Sequence, residues 1–468
     1  MPDSSALPER REPQPARETA ERGAARDSES DPRSGTPQSR FRYGLGLIGV
    51  AVAAAGFAIV FRASLAWLNR ALFGASDVVA AISSLKPWQR ALMPAVGAFL
   101  GGFLSRLVTS SGGVGDVMEA VVLGRVRLSM RSTLLKSSAS WLAIASGGSL
   151  GREGPLIQFG GAAGQRLGTA LRLPLTQTRI LIAAGTAAGF AAAYNTPFAA
   201  VLFVLEVVIG VVVLEAFWPL LIATVLATSI TRAVAGPGPI YGEHSFAMTS
   251  RWELLAFAGL GLVVAIGAQC FMRLLSWGEH TFKRLPWSKP FRVALGGLMA
   301  GAVIAFLPEV SGNGYEPLNR LLDGEFSVTF VLMLLIGKML ATTSSVSSGS
   351  PGGVFTPTLL VGGAIGFMVA TGLVDAGWLP PSAVGGYTLV GMAAATAATT
   401  HAPLLAAVMA FELSGDYAIV LPLLLATALS AAFSRRLRAQ SIYTAELSDG
   451  GAEWQLTLSG RRGSVNDG

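Results

Sequence analysis

Four short signposts recur in this chain in the same order and at nearly the same spacing, and that repetition constrains the fold more than any other feature. In the first half Lys136 stands nineteen residues before Pro155, Gly151 and Pro155 bracket a Gly-x-x-x-Pro, and Glu206 follows Pro197 by nine. In the second half Lys338 stands nineteen residues before Pro357, Gly353 and Pro357 bracket the same pattern, and Glu412 follows Pro403 by nine. Ser111-Gly112-Gly113-Val114-Gly115 lies forty residues before Gly151, and Ser311-Gly312-Asn313-Gly314 lies forty-two before Gly353. One matching motif could arise by chance, whereas four in register imply a duplicated unit.

The solvent for that unit follows from composition. Of 468 residues 51% are hydrophobic and only 13% charged, with a mean hydropathy of +0.54. That is too apolar for an ordinary soluble domain, so the chain reads as an integral membrane protein. Duplication in such proteins commonly builds a transport site at the bilayer midplane, where the halves meet. Several apolar segments between Gly147 and Pro197, and again between Gly349 and Pro403, are too short or too broken by Gly and Pro to cross a bilayer of roughly 30 Å alone. Irregular backbone survives at membrane depth only where it is buried in protein or lines a polar cavity, so the 56 Gly and 24 Pro point to an internal pathway. The predicted class is an all-α polytopic membrane protein with many short, broken and re-entrant helices.

The net charge of +7 does not indicate nucleic acid, because the basic residues of the apolar region fall mostly in short loops and at segment ends, as topology signals do. Cys270 is the single cysteine, so no intrachain disulfide forms, and in its apolar run it is expected as inert packing. Residues 1–39 are polar, rich in Pro, Ser, Glu and Arg, and lack the apolar core of a signal peptide, so a disordered cytoplasmic tail is expected. A first membrane repeat is expected over 40–284, a second over 285–440, and a pore-lining segment with a short cytoplasmic tail over 441–468. Arg40 and Arg42 precede the first long apolar segment, about Tyr43 to Val60. Arg435, Arg436 and Arg438 follow the last, about Ile419 to Phe433, which puts both termini in the cytoplasm. The Val-rich stretch Val204 to Val213 is expected as helix rather than sheet.

Each Gly-x-x-x-Pro joins glycines that admit a close backbone approach to a proline suited to the first helical turn, where its missing N–H is not needed. The free N–H groups of such a helix start offer roughly half a positive charge and several donors. That is enough to replace the hydration shell of an anion while still letting it leave. Glu153, in Gly151-Arg152-Glu153-Gly154-Pro155, falls at the first of these helix starts, and a charge at that depth is costly and therefore a functional candidate. Ionised, it competes with a permeant anion; protonated, it loses its attraction to the donors and swings away, which ties anion movement to protons. The second repeat carries Phe355 at the matching position, so the acid gate is single. Arg152 is placed either to compensate the nearby acid or to form a structural ion pair with Asp116.

At these residues the chain resembles the CLC family of chloride channels and chloride/proton exchangers. The resemblance rests on Gly151 to Pro155, on Gly353-Val354-Phe355-Thr356-Pro357 with the preceding Ser347-Ser348-Gly349-Ser350-Pro351-Gly352, and on Ser441-Ile442-Tyr443-Thr444-Ala445, and it covers about Arg42 to Leu447. It implies an inverted-repeat fold and a homodimer with one pore per subunit. It also implies that Glu153 is the external gating glutamate and proton acceptor, that the amides of Val354 and Phe355 bind the central chloride, and that the hydroxyl of Tyr443 caps that ion from the inside. The anion-binding set on this reading is Gly112, Gly113, Arg152, Gly154, Val354, Phe355 and Tyr443. The partners are chloride, protons where coupling operates, the lipid bilayer and a second copy of the chain. The paired cytoplasmic nucleotide-binding domains of larger relatives are not expected here, and the compact Ala- and Arg-rich chain suggests a bacterial inner membrane.

Two departures bear on mechanism. Where the family typically has Gly-Ser-Gly-Ile-Pro, Gly112 stands in the place of the serine and Gly115 in that of the proline, so no side-chain hydroxyl is offered there. Many exchangers carry a second glutamate in a Phe-x-x-Glu-Glu run, whereas this chain reads Phe203-Val204-Leu205-Glu206-Val207, with Val207 at the proton-glutamate position as in channel members. Glu206 is a candidate relay, but Glu412 occupies the equivalent place in the other repeat, and a structural role for both is favoured. Lys136 and Lys338 either tune the potential along the pore or cap and snorkel. The expected function is chloride conduction, passive or weakly proton-coupled, with a chloride/proton antiporter using a water-mediated proton path as the alternative. A reading from another class, an intramembrane serine hydrolase, rests on Gly147-Gly148-Ser149-Leu150-Gly151. It needs a base from His244, His280 or His401, of which His401, near Pro403, reads as a helix-start residue. No cluster has metal-ligand spacing, and no cofactor or enzymatic activity is expected.

Overall fold

The computed structural model describes residues 37–108, 113–124, 127–236, 248, 250–449, 452–457 and 460–465. The expected tail of 1–39 therefore lies, apart from its last three residues, outside the described residues, and so does most of the loop beginning at Gly236. Before the loop at 284–288 come α1 (Pro37–Phe73), α2 (Val78–Ser83), α3 (Pro87–Ser105), α4 (Val114–Met118), α5 (Met130–Ala145), α6 (Glu153–Ala170), α7 (Leu175–Tyr194), α8 (Pro197–Leu202), α9 (Leu214–Ala235) and α10 (Glu253–Lys283). After it come α11 (Lys289–Phe306), α12 (Tyr315–Leu322), α13 (Val328–Ser347), α14 (Phe355–Asp375), α15 (Val384–Thr400), α16 (Pro403–Ser414), α17 (Val420–Leu437) and α18 (Ile442–Asp449). Helices α4 and α8 run on into π-helical turns over Glu119–Leu123 and Phe203–Ile209, so the Val-rich stretch begins as helix.

Among the described residues seven helical stretches are long and apolar enough to cross a membrane, while Pro197–Ile209 and Pro403–Ser414, at equivalent places in the two repeats, are apolar but short. The outer surface is apolar: Leu45, Ile48, Val52, Leu255, Ile266 and Leu332 are all exposed, as a lipid-facing surface requires. Trp67, Trp252 and Trp378 stand exposed near helix ends, the usual station of tryptophan at a membrane interface. The same inversion corrects the expectation for Cys270, which is exposed on α10 rather than packed inside. In a bilayer an apolar run faces outward as readily as inward.

The interior is built on α7 and α15. Every residue of α7 from Leu181 onward is buried, and so is every residue of α15 from Gly385 onward. Small residues let their partners come close. A methyl added at Gly160 of α6 would run into the carbonyl oxygen of Gly185 in α7, and one added at Gly362 of α14 would run into that of Gly391 in α15. The two crossings are equivalent in the repeats, and they hold rigidly the two helices that begin with the Gly-x-x-x-Pro signposts.

Both central helices also end alike. Asn195 and His401 take left-handed backbone conformations, φ 61° and 60°, and their N–H groups return to Ala191 O (2.7 Å) and Ala397 O (3.0 Å). His401 is therefore the C-terminal cap of α15, not the start of α16; the chain needs Ala402 to reverse before Pro403 opens the next helix. A further difference lies beyond Tyr443. The segment expected only as a polar tail contains strands β1 (Ala452–Thr457) and β2 (Gly460–Val465), paired antiparallel from Ala452↔Val465 to Thr457↔Gly460.

Candidate functional site

The helix starts of α6 and α14 meet at one point. Gly151 N donates to Gly353 O (2.7 Å) and Gly353 N donates to Gly151 O (2.8 Å), an isolated antiparallel bridge between equivalent residues of the two repeats. Such reciprocity is what a local two-fold axis produces, each member giving to the other what it receives. Pro155 and Pro357 then sit in the first turns of α6 and α14, where no intrahelical N–H bond is lost.

Glu153, only 2% exposed, lies in this junction. Its carboxylate does not turn onto its own repeat alone. Oε1 accepts the backbone N–H of Phe355 (2.9 Å) and Oε2 accepts the hydroxyl of Thr356 (3.2 Å), both in the first turn of α14. The Thr356 hydroxyl in turn shares a hydrogen bond with the Tyr194 hydroxyl (2.9 Å) at the end of α7. A carboxylate held by a helix N-terminus and a hydroxyl occupies a ready-made anion site. The absence of side chains at Gly151 and Gly353 makes the room, because a Cβ at either would collide with the Glu153 carboxylate.

The other expected residues are distributed as follows. Arg152 is the N-cap of α6, with its guanidinium over the Tyr315 ring, 4.7 Å from the centroid. Its expected pairing with Asp116 is not what the structure holds: Asp116 pairs with Lys136 (3.7 Å), because Lys136 on α5 reaches the first turn of α4 while Arg152 is drawn to the aromatic face. Lys338 is fully buried and donates to the carbonyls of Val310 (3.0 Å) and Gly312 (2.9 Å). Lys338 thus ties down the glycine signpost of its own repeat, and Lys136 holds the residue directly after the signpost of the other. Gly154 is half-buried and faces the Gly352–Gly353 backbone. Gly113 caps α4 with φ 112°, whereas Gly112 lies outside the described residues.

Val354 is the N-cap of α14, next to Phe355. From Phe355 a series of ring contacts leads inward. Its ring meets Phe190 edge-on (5.4 Å between centroids), Phe190 stacks on Phe203 (4.6 Å), and Phe203 meets Tyr443 edge-on (6.0 Å). Tyr443 is buried in the first turn of α18. Glu153 and Tyr443 therefore stand at the two ends of one aromatic series.

Glu206 and Glu412 have a role that the sequence only hinted at. Glu206 accepts the backbone N–H groups of Leu404 (3.3 Å) and Leu405 (2.6 Å) at the start of α16. Glu412 accepts those of Phe198 (3.0 Å) and Ala199 (2.8 Å) at the start of α8. Each glutamate caps the other repeat's broken helix, using both oxygens. Ser149, the residue on which a hydrolase reading rests, shares its hydroxyl with Thr342 (2.9 Å) and is fully buried. His244 lies outside the described residues.

A membrane body of inverted helical repeats, joined where two broken-helix N-termini hold one buried carboxylate, defines a polytopic protein of the inverted-repeat class. The chain belongs to the CLC family: residues 96–435 match the family model described as voltage gated chloride channel. It is 39% identical over 414 residues to a ClcB-like chloride channel protein of Ralstonia nicotianae, covering 86% of this chain and 95% of that one. It is 34% identical over 375 residues to the voltage-gated ClC-type chloride channel ClcB of Citrobacter koseri, covering 78% and 89%. Among solved structures it resembles a slow cyanobacterial Cl−/H+ antiporter, with a TM-score of 0.79, 25% identity and coverage of 89% and 99%. It shares the fold of a CLC-type fluoride/proton antiporter, with a TM-score of 0.72, 22% identity and coverage of 88% and 98%.

Proposed function

We propose that the chain carries chloride across a bacterial inner membrane through a path that Glu153 closes, by conduction that is passive or only weakly coupled to protons. The observation that carries this reading is the bond from the Phe355 amide to the Glu153 carboxylate, which puts a side-chain anion where a permeant anion would bind. Protonation, or competition by chloride, releases the carboxylate and opens the path. Val354, Phe355, Gly154 and Tyr443 then serve the ion along the series of rings, with both termini cytoplasmic and two copies of the chain assembled in the bilayer, each with its own pore.

Weak coupling is supported by Val207, fully buried at the place where exchangers carry the inner acid, and by Glu206, whose two oxygens are committed to α16. The second reading, chloride/proton antiport along a water path, is favoured by the likeness to the cyanobacterial Cl−/H+ antiporter. Reversal potentials of the purified protein in planar bilayers separate the two. Under a chloride gradient alone both give a chloride-directed potential. A pH gradient superimposed on it moves the potential little or not at all for passive or weakly coupled conduction and by the full amount of a fixed chloride/proton ratio for antiport, and that full shift would overturn the first reading.

A further inference from the structure

A cavity of about 540 Å³ adjoins Arg152. Its charged walls are Arg62 and Arg70 of α1, Arg152, Asp77 and Glu316, with Asn313 beside them. Three cations thus face two acids. One oxygen of Asp77 is already taken by the N–H of Ala80 (2.7 Å), at the start of α2. Arg62 and Arg152 thus present like charges to the same cavity. Arg152 lays its guanidinium over the Tyr315 ring, yet its Nε is buried without a hydrogen-bond partner among the described residues.

Two like charges held together beside a cavity are relieved by an anion between them, and a guanidinium offers five donors for it. Low-dielectric walls of one predominant sign also concentrate counter-ions. We propose that this cavity is an outer anion-binding subsite, in which Arg62 and Arg152 hold a small inorganic anion of the halide class before it reaches Glu153. The cavity exceeds the size of a single halide, so the ion keeps part of its water and binds loosely, as a site feeding a conduction path must. Arg152 is the step between the two sites, since it lines the cavity and directly precedes the gate.

This inference deepens the proposed function and rests on it, so the test includes a readout that does not depend on transport. Crystals of the full chain and of Glu153→Gln grown with bromide are measured at the bromine absorption edge, and Arg62→Gln and Arg62→Lys are compared in flux assays. The expected result is anomalous density between Arg62 and Arg152 in both crystals. Arg62→Gln is expected to raise the half-saturating bromide concentration from the cavity side roughly tenfold, with no change from the other side and recovery in Arg62→Lys. Density at the Phe355 amide of Glu153→Gln without any in the outer cavity would overturn the inference, as would an Arg62→Gln protein with unaltered saturation on both sides. A wild type without anion flux would instead remove the transport reading, and outer-cavity density in its crystals would still support the subsite.

Discussion

Gly151 and Gly353, equivalent residues of the two repeats, hydrogen-bond to each other in both directions and so fix the distance between the two helix starts that flank Glu153. The pair does more than join the halves. Neither glycine can gain a Cβ without displacing the Glu153 carboxylate. Gly353→Ala is therefore expected to push the carboxylate off the Phe355 amide and raise chloride flux at neutral pH toward the level of Glu153→Gln. Concentrative chloride-efflux assays in liposomes check this, and unchanged flux from a folded Gly353→Ala protein would contradict it.

Thr356 gives Glu153 its second bond, and Tyr194 holds the Thr356 hydroxyl in place. A hydrogen bond to a charged group contributes about 1.5–3 kcal/mol. Thr356→Val should accordingly free the ionised carboxylate more easily and favour its protonated form, so flux is expected to begin at a less acidic pH than in the wild type. Tyr194→Phe, one bond further out, should move the profile the same way by less. A flux–pH profile for the three proteins measures the order.

The reciprocal caps make a matched pair of expectations. Glu206→Ala and Glu412→Ala each leave two backbone N–H groups at the start of a short helix without their acceptor, which costs about 1–3 kcal/mol. Comparable losses in thermal stability are expected, together with a pH-gradient response in Glu206→Gln no different from the wild type. If Glu206→Gln instead abolished a proton-dependent shift in reversal potential, Glu206 would be a relay as well as a cap.

Lys136 and Asp116 form a nearly buried ion pair. Breaking it from one side strands a charge, which costs on the order of 3 kcal/mol. Lys136→Met should therefore yield markedly less folded protein, and Lys136→Met combined with Asp116→Asn should recover most of it. Chromatographic monodispersity and melting of the single and double variants test the pairing.

Much of the architecture was legible because the features that specify it are local. A glutamate between glycines and a proline, in an apolar setting, announces a broken helix start with a buried charge, and Glu153 lies in that place. The partner of Asp116 was not legible. Lys136 and Arg152 are both basic and both near in sequence, and only the docking of α5 beside α4 decides between them. The mutual capping by Glu206 and Glu412 depends likewise on how the halves meet, since each carboxylate finds its donors in the other repeat. Arg62 carries no motif and becomes notable only when α1 is laid against Arg152. The hairpin after α18 was missed because its strands lie in a short polar segment rich in glycine, where alternation is weak.

The most direct test of the gate is chloride flux of the purified protein in liposomes, measured from acidic to alkaline pH, beside Glu153→Gln and Glu153→Ala. The expected result is a wild type whose flux falls as the pH rises and two variants whose flux is high and independent of pH. A Glu153→Ala protein that kept the wild-type pH dependence would contradict the claim that this carboxylate, seated on the Phe355 amide, closes the path.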